Sequence, residues 1–193
     1  SGGNYNTAVG DEAGTAITTG DENTAVGYQA LDANTTGNEN TAVGKLALDA
    51  NTTASYNTAM GSSALLLNTT GTKNTALGRS AMSGNVSADE NVAIGYYALV
   101  GNTTGANNVA VGAHALDANT TASYNTAMGH GSLGANTTGT GNTASGYQAL
   151  LVSTTANYNT AMGGLSLNAN TTGAENTAVG YQALDANTTA SYN

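Results

Sequence analysis

Asparagine returns every 17 residues, at Asn6, Asn23, Asn40, Asn57, Asn74, Asn91, Asn108, Asn125, Asn142, Asn159, Asn176 and Asn193, with no insertion anywhere. A fixed period of this length means that one small structural unit is stacked many times, and it outranks local propensity as a guide to fold. Numbered from that Asn, the repeat reads N-T-A-V-G-Y-Q-A-L-D-A-N-T-T-G/A-x-E/Y. Over the 11 complete repeats, Asn at position 1, Ala at position 3 and Gly at position 5 never change. Position 4 is Val, Ile, Leu or Met except at Ser145, and position 9 is Leu or Met except at Gly14. Positions 6 and 7 follow no visible rule.

Seventeen residues are too few for a helix–turn–helix unit, which needs about 30 or more. Gly and Asn-Thr-Thr are also poor helix material. N-T-A-V-G instead alternates like a strand, with positions 2 and 4 on one face and 1, 3 and 5 on the other. A second short strand is expected at positions 7–10, and a turn at 11–17, where Asn, Thr and Gly concentrate. The predicted fold is all-β, a parallel β-solenoid of 17-residue coils. The coils start at residues 6, 23, 40, 57, 74, 91, 108, 125, 142, 159 and 176. Residues 1–5 form a lead-in, and 1–193 make one repeat array of about 11 coils. At ~4.8 Å per coil the rod is about 50 Å long.

The expected core is thin: the aliphatic residue at position 4, the Leu at position 9 and a few Ala. Ladder hydrogen bonds must therefore share the work. Asn at positions 1 and 12 would stack in register, each amide bonding the next; Asn23, Asn40 and Asn57 exemplify the first ladder. Ala25, Ala42 and Ala59, with Gly27, Gly44 and Gly61, form a stripe of small residues. Such a stripe suits close approach of a second chain, and equally suits a narrow interior; contact with a partner is the expectation carried forward. A second rhythm, Gly and Ala alternating at position 15 from Gly37 to Ala190, implies duplication in units of 34 residues. Successive coils would then differ in turn conformation if those Gly used positive φ.

Composition excludes several functions. The net charge is −9, and the only cations besides His are Lys45, Lys73 and Arg79. No basic stripe exists to neutralise phosphates, so no nucleic-acid partner is expected. No apolar run approaches the ~20 residues that span a bilayer, so no membrane insertion is expected in this segment. No signal peptide is visible. The chain lacks Cys, which fits an extracellular setting.

The core A-[VILM]-G-x-x-[AS], carried by Ala25-Val26-Gly27-Tyr28-Gln29-Ala30 and its counterparts, resembles the head repeat of trimeric autotransporter adhesins of the YadA-like type. Similar N-T-A-x-G arrays occur in bacteriophage tail-fibre-like proteins. The resemblance covers the whole chain and implies a left-handed β-roll with three chains side by side. Two features depart from the adhesin pattern: Thr holds position 2 except at Val92 and Val109, and the connecting turn is longer. No binding residue carries over, because the family motif is architectural.

No catalytic constellation is present. His114 and His130 lie one coil apart with no fixed carboxylate partner, which suits a solvated pair better than a catalyst or metal site. Asp32, Asp49, Asp117 and Asp185 share position 10, too irregularly for a calcium roll. No metal and no cofactor is expected. Asn34, Asn51, Asn68, Asn85, Asn102, Asn119, Asn136, Asn170 and Asn187 each open an N-x-S/T sequon on an expected exposed turn and are candidate glycosylation sites. Asn-Thr-Thr is also good turn chemistry, and that reading takes precedence. Neither end shows an obvious capping repeat. The expectation is a non-enzymatic structural or adhesive rod: the repeat module of a fibre, surface filament or adhesin on a cell or virion surface. Its expected partners are copies of itself, as a homotrimer or an end-to-end filament, and a surface glycan or receptor. The alternative is an ice-binding solenoid with ranks of Thr at positions 2, 13 and 14.

Overall fold

The computed structural model describes residues 3–193, and the period holds throughout. Eleven strands occupy positions 2–4 of successive coils, from β1 (Thr7–Val9) through β6 (Val92–Ile94) to β11 (Thr177–Val179). They form one parallel sheet in sequence order. Each strand pairs in register with the same three positions of the next coil, as Thr24, Ala25 and Val26 do with Thr41, Ala42 and Val43. The chain is therefore a β-solenoid, and the described residues contain no helix.

The expected second strand at positions 7–10 is absent; two tight turns replace it. The position-8 N–H donates to the position-5 carbonyl of its own coil, and the position-12 N–H donates to the position-9 carbonyl; Ala115 to Gly112 at 3.3 Å and Asn119 to Leu116 at 3.1 Å are examples. Positions 7, 9 and 17 all take left-handed backbone conformations, as at His114 (φ 57), Leu116 (φ 52) and Tyr124 (φ 62). A bulky residue there costs roughly 1–2 kcal/mol. Each is held by a bond to a neighbouring coil: the Leu116 N–H donates to the Ser132 carbonyl at 3.0 Å, and the Tyr124 N–H to the Ala106 carbonyl at 3.1 Å.

These turns decide which side chains point inward. Ala at position 3, Ala or Ser at position 8 and Leu or Met at position 9 line the interior, and Leu48, Leu65, Leu99 and Leu116 are fully buried. The position-4 aliphatics are not core, contrary to the sequence expectation. Ile94 is 36% exposed, Leu77 44% and Met162 47%. The strand can turn only one of its faces inward, and the interior takes the face with Asn and Ala.

The invariant Gly at position 5 follows from geometry. Gly27 has φ +134, and a Cβ there would lie 2.7 Å from the backbone of Gly44 in the next coil. Coil after coil stacks through this backbone-to-backbone contact, which no side chain fits.

The 34-residue rhythm is structural too, but its cause is space and not positive φ. A Cβ on Gly37 would meet the Ala54 carbonyl oxygen at 2.2 Å, and the other position-15 Gly residues of the alternating series are as tight. In Gly-bearing coils the position-13 N–H reaches the next coil at 2.8–3.0 Å (Thr35, Thr69, Thr103, Thr137, Thr171). In Ala-bearing coils the same bond measures 3.2–3.4 Å (Thr52, Val86, Thr120, Thr154). Residues 3–5 continue the pattern as the end of a preceding coil, with the Glu22 N–H donating to the Asn4 carbonyl at 3.0 Å.

Candidate functional site

Two asparagine ladders run through the interior, and their chemistry explains why the residue is Asn. At position 1, the Asn23 Oδ1 accepts from the Asn40 backbone N–H at 3.0 Å and from Asn40 Nδ2 at 3.2 Å. Asn40 Nδ2 gives its other proton to the Ala54 carbonyl at 2.8 Å. Both lone pairs and both protons of the amide are thereby used. Asp would lack the donors, and Gln is a methylene too long for the same register. At position 12, Asn51 Nδ2 donates to Asn34 Oδ1 at 2.9 Å and to the Ala54 carbonyl at 3.0 Å. The position-15 carbonyl thus accepts from both ladders and ties the two sides of each coil together.

The ladder residues Asn23, Asn40 and Asn57, and the small residues Ala25, Ala42 and Ala59, are at most 1% exposed. The Ala stripe therefore lines the interior and is not a surface for a partner. Gly27, Gly44 and Gly61 sit at the backbone contact described above. The sequon asparagines lie on no exposed turn. Asn34, Asn51, Asn68, Asn85, Asn102, Asn119, Asn136 and Asn170 are all fully buried, and Asn187 is part-buried. An N-glycan must leave from Nδ2 toward solvent, and in the folded coil that nitrogen faces the ladder. The folded coil leaves a glycan no way out from the eight fully buried positions.

With Asn, Ala and Leu inside, the coil presents three outward sides. The strand side carries Thr at position 2 and aliphatics at position 4. No coil has a charged residue at either position. The opposite side carries the Thr pair and the acids of positions 16 and 17. There the position-13 hydroxyl is engaged, Thr35 Oγ1 donating to the Thr52 carbonyl at 2.9 Å, while Thr at position 14 stands in solvent. Lys73 belongs to this side; its bond to Glu90 at 3.0 Å, and then the Glu90 charge, raise its pKa.

The third side, at positions 6, 7 and 10, holds Lys45, Arg79, both His and five of the ten Tyr. Lys45 Nζ lies 5.9 Å from the Tyr28 ring centre, and the Arg79 guanidinium 5.8 Å from that of Tyr96. His114 stacks on Tyr97 at 5.8 Å with 8° between planes, and meets His130 at 6.0 Å. His130 stacks on Tyr147 at 5.8 Å. His114 also has the carboxylate partner that its sequence context concealed, with Nδ1 lying 3.0 Å from Asp117 Oδ2. Glu12, ahead of burial and Asp11, raises the pKa of Tyr28. Burial, then Asp32, raises that of Asp49. Asp32 accepts from the Thr15 hydroxyl of the coil before.

Among the described residues no three His, Cys, Asp or Glu converge as a metal site, and no enclosed cavity is present. Among the described residues no helix is long and apolar enough to cross a membrane. Comparison with family profiles, with curated proteins and with solved structures finds no match.

The outward aliphatic rank is what the sequence reading missed. Its signal was there: position 4 accepts Val, Ile, Leu, Met and Ser, whereas positions 1 and 3 accept one residue each. A narrow interior tolerates one shape, and an open face tolerates several.

Proposed function

We propose that the chain is a non-enzymatic structural and adhesive rod, the repeat module of a fibre, surface filament or adhesin. It works outside the cell or on a virion, with copies of itself side by side as a homotrimer. The strand face carries this reading. Met60, Leu77, Ile94, Met128 and Met162 line one rank there, each 36–47% exposed, beside a rank of Thr and Val. An apolar strip of this kind, interrupted only at Ser145, marks an association surface. The chain carries −9 and repels its own copies except where they meet through an uncharged side. Only a partner with the same ~4.8 Å repeat keeps such ranks in step along the whole rod, and a second copy meets that condition. The rest of the molecule supplies stiffness, since every coil is bonded to the next through backbone and amide ladders.

The test is absolute mass in solution by light scattering, for the wild type and for Ile94→Lys and Met128→Lys. A trimer that falls to monomer in the variants is the expected result; a wild type that stays monomeric at high concentration sinks the reading.

One observation favours a second reading, ice binding. The position-2 Thr side chains stand on the outward face of the sheet in nine of the 11 coils, one per coil. A monomer that shows thermal hysteresis would bring that reading forward, and absence of hysteresis removes it.

A further inference from the structure

The two histidines of the chain meet on the side formed by positions 6, 7 and 10. His114 holds position 7 of the seventh coil and His130 position 6 of the eighth, and their ring centres lie 6.0 Å apart. A tyrosine stacks behind each ring, Tyr97 behind His114 and Tyr147 behind His130, both at 5.8 Å. The backbone beneath is stiff: His114 N–H donates to the Tyr96 carbonyl of the coil before, and Gln148 N–H to the His130 carbonyl, both at 3.0 Å. His114 Nδ1 lies 3.0 Å from Asp117 Oδ2. A carboxylate only accepts, so Nδ1 carries the proton and Nε2 keeps its lone pair. The same carboxylate–imidazole pairing orients metal-bound histidines and raises their basicity. The eighth coil has Gly131 and Gly134 at positions 7 and 10, so its own side chains leave His130 uncovered and exposed. The His114 side chain is 42% exposed.

We propose that His114 and His130 together bind a divalent transition ion of the kind that prefers imidazole: Zn²⁺, Ni²⁺ or Cu²⁺. Asp117 is a positioning residue that holds the His114 ring, and water completes the coordination. Two protein ligands make an exchangeable surface site, whereas a closed structural site has four. With metal–nitrogen bonds of about 2.0–2.1 Å, two imidazoles on one tetrahedral ion have ring centres about 5 Å apart. A tilt of about 1 Å in these exposed rings closes the observed gap, and such side chains move that far freely. The net charge of −9 draws cations to the chain. Arg79, the nearest cationic residue on this side, belongs to the second coil before that of His114. Calcium and magnesium are a poorer match, because they take oxygen ligands. The strand face at positions 2 and 4 takes no part, so the site does not depend on lateral association.

The experiment is calorimetric titration of the chain with ZnCl₂, and separately with CaCl₂, at about pH 7.5, where an ordinary imidazole is neutral. Proton NMR of the same samples follows the ring signals of the two His. The variants are His114→Gln, His130→Ala, Asp117→Asn and, away from the site, Asp49→Asn. Other coils already hold Gln148, Ala113 and Asn168 at the first three positions, so those variants leave the coil intact; circular dichroism checks this. The proposal expects one equivalent of Zn²⁺ to bind saturably, with both ring signals moving together. His114→Gln and His130→Ala should each weaken binding about tenfold or more, since each removes one of two ligands. Asp117→Asn should weaken it about tenfold while both ring signals still move, which marks a positioning role. Asp49→Asn should change nothing, and CaCl₂ should give no saturable heat. No saturable heat with ZnCl₂, movement of one ring signal alone, unchanged affinity in either His variant, or equal affinity for CaCl₂ would overturn the proposal. Unchanged affinity in Asp117→Asn would overturn the role given to Asp117.

Discussion

Asparagine is the residue that makes so narrow a solenoid tenable, and the one break in its position-12 ladder shows how. Ser153 stands where the neighbouring coils have Asn136 and Asn170. Asn136 Oδ1 is left buried without a donor, and the Ser153 hydroxyl is buried without a partner. A buried polar group without a bond costs roughly 1–3 kcal/mol. Ser153→Asn should restore both links and stabilise the protein by an amount of that order, read as a higher denaturation midpoint. No gain would mean that the amides do not hold the coils together. Asp49 gives a second prediction at this scale. Burial and Asp32 raise its pKa in the folded chain, so at neutral pH the ionised carboxylate costs stability. That cost fades as pH falls through the raised value, because the folded state then takes up the proton that the unfolded state still lacks. Asp49→Asn should therefore raise the denaturation midpoint at pH 7 and lose its advantage toward about pH 4. An advantage that grew on acidification would contradict the sign.

The three-residue strand is the element on which sequence and structure part company. Its existence, its parallel pairing and its 17-residue register were legible from the period and from the alternation of N-T-A-V-G. Its direction was not, because aliphatic side chains at position 4 looked like core by hydrophobicity alone. The interior is too narrow for them: Ala at position 3 fits opposite Leu at position 9, and Val or Met would not. The two turns were missed for a related reason. Leu99 and Leu116 look like strand or helix residues, yet they hold φ near +50 because burial fixes them there. The sequence does betray these sites where Gly stands in for the usual residue: Gly131 at position 7, Gly14 at position 9 and Gly141 at position 17, all with positive φ. The assignment of faces predicts a contrast within one coil. Leu99→Ala empties a fully buried site and should cost about 2–5 kcal/mol. Ile94→Ala, five residues earlier on the outward rank, should leave the stability of a single chain within ~1 kcal/mol of wild type. Chemical denaturation of the two variants in dilute solution decides between this arrangement and its inverse.

The described residues form a one-dimensional stack in which each coil bonds to its immediate neighbours. Stability then sums over coils and over the contacts between them. Removing two complete coils, residues 91–124, preserves the Gly/Ala alternation and should give a shorter rod with the same circular dichroism per residue. Removing 20 residues, which is no multiple of 17, should disrupt the stack. The rod reading rests on which side of that stack meets another molecule, and the absence of cysteine makes the point directly testable. A Cys at Ile94 lies on the outward rank of the sixth of 11 coils, so it meets its counterpart whether copies pack parallel or antiparallel. A Cys at Thr104 lies on the exposed Thr row of the same coil. Mild oxidation of the two single-cysteine proteins, followed by non-reducing electrophoresis, is the decisive measurement. The account predicts covalent dimers from Ile94→Cys and monomers from Thr104→Cys. Monomers from Ile94→Cys, or dimers from Thr104→Cys alone, would show that the strand face is not where copies of this chain meet.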